Sequence, residues 1–232
     1  MEMQTASKVY PQTPVDAQKA WTEMRHRYLA GLEGILIFGL VSFAFFQRRK
    51  LPPLVFKLNL ALVGILLCQV VFGMLTVTAL LKPIVVVGHL LLGFSLMSVL
   101  WMIWLLTRNY RPSPRFSGLP WVILGLIMLI LQIFLGGWVS THYSFMSIHM
   151  LHRMGAGLTF LILSGLGLYL INKVPHMKHL ATVLLSLLVI QLILGVLNTL
   201  WVRPIHIALT HHAVAALLLL ALLGILIKGI RT

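Results

Sequence analysis

The chain has 232 residues, of which 59% are hydrophobic and 9% charged. A water-soluble domain carries about 25% charged residues, so this composition excludes one and leaves a chain whose surface faces lipid. Its 18 Lys and Arg against four acids give a formal charge of +14. The basic residues fall in loops between apolar runs, so the excess marks one side of a membrane and not a nucleic-acid partner.

In chain order, the opening stretch from Met1 to Ala20 is polar and shows no cleavable signal peptide. Thr13 suits an N-cap, Pro14 the first helical position and Asp16 the positive end of a helix dipole. This predicts a helix running from about Pro14 straight into the first span, its extension carrying Trp21, Glu23, Arg25, His26 and Arg27. A spanning helix needs about 20 apolar residues. Seven such segments follow, at 28–47, 54–77, 84–107, 119–139, 149–172, 179–201 and 207–228. Polar or proline-containing breaks separate them, among them Gln47-Arg48-Arg49-Lys50-Leu51-Pro52-Pro53, Thr107-Arg108-Asn109-Tyr110-Arg111-Pro112 and Asn172-Lys173-Val174-Pro175. The expected fold is all-α, a polytopic transmembrane bundle of seven spans. Those three loops and the Lys228/Arg231 tail hold most of the cations, whereas the alternate loops hold Lys82, none across 140–148, and Arg203. The positive-inside rule then places the N-terminus outside and the C-terminus in the cytoplasm. The single Cys68 sits in an apolar run, which leaves no internal disulfide and no cysteine-based metal site.

The sequence repeats itself. His26-Arg27-Tyr28-Leu29-Ala30-Gly31-Leu32 matches His152-Arg153-Met154-Gly155-Ala156-Gly157-Leu158 at an offset of 126, and Gln69-Val70-Val71-Phe72-Gly73 matches Gln191-Leu192-Ile193-Leu194-Gly195 at 122. His89 follows Gln69 at the same spacing at which His211 follows Gln191, with Pro83 and Pro204 shortly before each histidine. Two half-bundles of equal orientation are implied, related by an axis along the membrane normal. The second half has four spans and the first three; span 119–139 carries a third Gln-x-x-x-Gly, at Gln132 and Gly136. The missing helix of the first half would precede residue 1. The expected divisions are 1–22 as an extracytoplasmic segment, 23–112 as the first half-bundle and 113–232 as the second.

Four of the ten histidines, His26, His89, His152 and His211, occupy matched repeat positions near the outer ends of their helices. Neutral imidazole is a good axial ligand for heme iron, and two helices offering one each at equal depth can sandwich a heme within a bundle. Zinc is disfavoured, because no matched Asp, Glu or Cys completes a shell of four. His212 adjoins His211, but the spacing from Gln191 picks His211. His142, His149, His176, His179 and His206 have no repeat partner and read as interfacial. Glu23 precedes His26 by one helical turn, as a base beside the site or as a surface charge. Arg27 and Arg153 follow the paired histidines, to hold heme propionates or to reach headgroups. Glu33 shares the face of His26 but has Thr159 as its counterpart, and takes no catalytic role.

Trp21-Thr22-Glu23-Met24-Arg25-His26-Arg27, residues 69–73 with Leu75-Thr76-Val77, His89-Leu90, Leu135-Gly136-Gly137-Trp138-Val139-Ser140-Thr141, Ile148-His149-Met150-Leu151-His152-Arg153 and His211-His212-Ala213-Val214 together resemble the heme A synthase family, over about residues 13–230. The resemblance implies an eight-span fold of two four-helix halves and oxidation of the C8 methyl of heme O to the formyl of heme A by successive hydroxylations, during cytochrome c oxidase cofactor biosynthesis. It implies that His152 and His211 ligate a resident heme b, that His26 and His89 flank the substrate heme O, and that Glu23 is the essential carboxylate. It further implies a bacterial cytoplasmic membrane location, with heme O synthase and an electron-transfer partner as associates and a homo-oligomer left open. Three features depart from the family: its first helix and most of its first outer loop have no counterpart, the loop 140–148 is short, and Arg25 stands where relatives carry an apolar residue. A non-catalytic bis-histidine heme or electron-transfer protein is the alternative.

Overall fold

The computed structural model describes residues 17–108, 117–141, 145–201 and 204–230. The helix-start signals at Thr13, Pro14 and Asp16, and His142, lie outside them. Seven helices are described: α1 (Ala17–Phe46), α2 (Pro53–Thr78), α3 (Pro83–Thr107), α4 (Leu119–Val139), α5 (Met146–Lys173), α6 (Lys178–Leu200) and α7 (Ile205–Ile230), with a 3₁₀ turn at Pro175–Met177 between α5 and α6. Each contains an apolar stretch long enough to cross a membrane. The expected spans are therefore all present, lengthened by a few residues at several ends. Prolines mark several of the starts. Pro83 and Pro120 occupy the first turns of α3 and α4, where a missing N–H costs nothing and the fixed φ is already helical.

Outward-facing side chains are as apolar as inward-facing ones. Phe38, Leu67, Leu131, Leu161 and Leu209 are all exposed, as on a helix solvated by lipid. Hydroxyl and amide groups inside the spans return to their own backbones: Ser98 Oγ to Phe94 O, Thr159 Oγ1 to Gly155 O, Asn59 Nδ2 to Val55 O and Thr182 Oγ1 to Lys178 O, all at 2.7–3.0 Å. A donor satisfied within its own helix can enter a medium without water.

The chain divides into two compact units, one ending at Pro52 and one from Pro53 onward. In the first, α1 carries Glu23 and Arg27 on one face, joined by an ion pair of 2.6 Å between Arg27 Nη2 and Glu23 Oε1. Thr22 Oγ1 donates to Gln18 O beside them. In the second unit, α4, α5, α6 and α7 form a closed ring in which each packs on the next and α7 packs back on α4. So α5 and α7 stand diagonally, as do α4 and α6. Helix α3 lies in the groove of α4 and α7, and α2 packs on α3. Trp101 of α3 fixes this attachment by donating its indole N–H to Leu220 O of α7, at 2.9 Å.

The ring is filled over only part of its length. Toward the end where α4 begins and α5 finishes, Val122, Leu126, Leu163, Leu166, Leu170, Ala181, Leu184, Leu222 and Ile225 form a dense apolar core. Gly125 and Gly167 permit close approach there, since a Cβ would stand 2.7 Å from Leu163 Cδ2 at the first and 2.6 Å from Leu185 Cδ2 at the second. Lys228 Nζ closes that end by donating to His176 O at 2.5 Å. Toward the other end the ring opens into a cavity.

Candidate functional site

The cavity measures about 620 Å³ and lies among the four ring helices. That is within the roughly 300–1,000 Å³ of small-molecule and cofactor sites. Its floor is apolar, formed by Leu129, Ile133, Leu163, Leu188 and Leu218. Its mouth, toward the ends of α4 and α6 and the starts of α5 and α7, carries Ser140, His149, Arg153, Asn198, Thr199 and His212. Between floor and mouth stand His152 on α5 and His211 on α7, with Gln132 and Gly136 on α4 and Gln191 and Gly195 on α6. The diagonal α5/α7 pair thus offers two imidazoles and the diagonal α4/α6 pair offers two amides.

Both imidazoles stand at the cavity wall. The amide nitrogen of Gln191 lies 3.2 Å from Nε2 of His211. This contact ties the His211 ring on α7 to α6. Nδ1 of His211 and Nδ1 of His152 are buried without hydrogen-bond partners. Buried polar atoms normally find one, and two unsatisfied imidazoles facing one cavity form a donor set kept for a ligand.

No three His, Cys, Asp or Glu come together as a metal shell among the described residues. A bare zinc ion needs three or four protein ligands, whereas a metalloporphyrin brings its equatorial nitrogens and asks the protein for one or two axial ones. From residue 34 onward the sequence contains no Asp or Glu. The Arg153 guanidinium at the mouth therefore has no carboxylate of its own unit to pair with, and suits a ligand bearing acidic groups at one edge. An apolar floor, two diagonal imidazoles and a cationic mouth fit a heme.

The expected site residues distribute as follows. His152, His211 and Arg153 come together at this cavity. His89 does not line it and stands on α3 beside α2, where its ring lies against Gly73. Glu23, His26 and Arg27 occupy little more than one turn of α1. Two cavity residues escape selection by repeat matching, His149 and His212. His149 is three residues before His152, and that helical spacing is the signal that finds it. A second signal is also present: His152 follows Gln132 at the spacing that separates His89 from Gln69 and His211 from Gln191, so the Gln–His pattern occurs three times and not twice.

A family model described as cytochrome oxidase assembly protein matches residues 1–148 and 144–223 of this chain. A heme A synthase of Shewanella oneidensis is 34% identical over 271 aligned residues, which cover 97% of this chain and 81% of that protein.

Proposed function

This chain belongs to the heme A synthase family of cytochrome oxidase assembly proteins, and from that premise we propose that it oxidises the C8 methyl of heme O to a formyl group within the membrane. Written with water as the oxygen source, the methyl group and one water give the formyl group, four protons and four electrons, which an external electron acceptor removes. The observation that carries the cofactor part of the proposal is the pairing of His152 and His211 across one cavity, with an unsatisfied nitrogen on each. These two residues hold a resident heme b, which when bound supplies one-electron redox capacity to the site.

The repeat and the family resemblance support the assignment of His26 and His89 to the substrate heme. The approach of His89 to Gly73 repeats that of His152 to Gly136, which supports the same use of the imidazole in both places. Glu23 is the proton acceptor, one turn from His26. Arg27 pairs with Glu23 Oε1 from one turn further along the same helix face. Arg153 at the cavity mouth binds a propionate of heme b through charge-assisted hydrogen bonds, and Arg27 does so for the substrate. The dominance of Lys and Arg in alternate loops supports an orientation with the N-terminus outside a bacterial cytoplasmic membrane.

The test is turnover. Membranes or purified protein supplied with heme O, and with an electron acceptor, should yield heme A, identified by its pyridine hemochrome and mass. Retention of heme b with no product would instead make the chain a heme-carrying membrane protein.

A further inference from the structure

We infer that Gly136, Gly195, Gln132 and Gln191 are positioning residues that seat the two iron-binding imidazoles, an inference that rests on the reading of His152 and His211 as heme ligands. The seat is one helical hairpin long. It consists of a glutamine, a glycine one turn later, and a histidine on the next helix at a spacing from the glutamine that never varies. It occurs as Gln132-Gly136-His152 in α4–α5, Gln191-Gly195-His211 in α6–α7 and Gln69-Gly73-His89 in α2–α3.

The glycine is the part that admits the ring. A methyl group at Gly136 would stand 3.1 Å from Cε1 of His152, one at Gly73 3.1 Å from Cε1 of His89, and one at Gly195 3.4 Å from Cε1 of His211. Carbon atoms rest at about 3.5–4.0 Å, so the first two are too close and the third is at the edge. None of these glycines has a positive φ; they are required for space, not for backbone conformation. The neighbour Gly137 faces elsewhere, with Leu90 Cδ2 2.8 Å and Val87 Cγ2 3.4 Å from its would-be Cβ. Of two adjacent glycines, one serves the imidazole and one serves packing against α3.

The glutamine sits one turn deeper. Its amide oxygen is buried and unpartnered in all three hairpins, at Gln69, Gln132 and Gln191. An apolar side chain of equal size would fill the same space without that desolvation cost, so the amide is kept for what its nitrogen does. In α6–α7 that nitrogen lies 3.2 Å from Nε2 of His211, so the amide touches the imidazole directly and holds the ring at the cavity wall. In the other two hairpins it lies against a glycine one turn past the histidine: a Cβ at Gly93 would stand 3.2 Å from Gln69 Nε2, and one at Gly155 would run into Gln132 Nε2.

The experiment compares Gly136→Ala, Gly195→Ala, Gln191→Leu, Gly137→Ala and Gly157→Ala in purified, heme-loaded protein. It reads the electron paramagnetic resonance of the ferric low-spin heme and the rate of heme transfer to apomyoglobin. Gly136→Ala should alter or abolish the low-spin signal and speed heme release by about 10–100-fold, the usual cost of losing an outer-shell support. Gly195→Ala should do the same to a smaller extent, and Gln191→Leu should shift the signal. Gly137→Ala, and Gly157→Ala where nothing lies within 4 Å, should keep the wild-type signal. Equal effects of Gly136→Ala and Gly137→Ala would reduce the glycines to helix packing and overturn the inference while leaving His152 and His211 as ligands. A wild-type protein purified under heme-replete conditions without low-spin heme would overturn both. If Gly136→Ala fails to accumulate, the double variant Gly136→Ala/His152→Ala removes the ring that the methyl strikes and must accumulate again; continued failure overturns the inference.

Discussion

His206 and His211 stand five residues apart on α7, and that distance, more than one turn, separates an exposed side chain from one inside the cavity. Replacing His152 or His211 by Ala should therefore abolish or shift the Soret band of bound heme b. His206→Ala should leave it unchanged, and equal loss in all three variants would signify general destabilisation. Glu23 is a residue of another kind. Its ion pair with Arg27 is an i,i+4 pair with side chains 58% and 51% exposed, worth only about 0.3–0.5 kcal/mol. Glu23→Gln keeps the shape and removes the charge. It should leave the heme content and thermal stability near wild type while eliminating heme A formation. Undiminished product would reduce Glu23 to a surface residue.

At the scale of helices, close packing depends on where glycine is placed. Gly125 of α4 faces Leu163, which is completely buried. Gly125→Ala should cost about 1–3 kcal/mol by overpacking. Gly165→Ala on α5, with open space around it, should be neutral or stabilising by up to about 1 kcal/mol, because alanine is the better helix former. Thermal loss of helical circular dichroism in detergent separates the two. The helices themselves are legible in the sequence because each is an apolar run closed by proline or by cationic residues, as at Pro53, Pro83 and Lys173. What is not legible is which side of each run faces a neighbour, since in lipid both faces are apolar. That is why repeat spacing does not select His212, whose face becomes readable only once α4 to α7 close into a ring, whereas His149 is marked only through His152 one turn on. His152 and His211 are found because their matched spacings mark them without any knowledge of helix phase.

For the whole molecule, the distribution of cations among loops predicts a side for each end. A reporter fused after Thr232 should be active only in the cytoplasm, and activity on the opposite side would reverse the proposed orientation. The second unit has a further property, set by its lack of any Asp or Glu after Glu33. Aspartate and glutamate titrate near pH 4 and histidine near 6.5. The six-helix unit therefore carries nine histidines and no acidic side chain. Acid unfolding by protonation of paired carboxylates, the usual route in soluble proteins, has nothing to act on there. Any proton carried through that unit must travel on imidazole, water or the acidic groups of a bound heme.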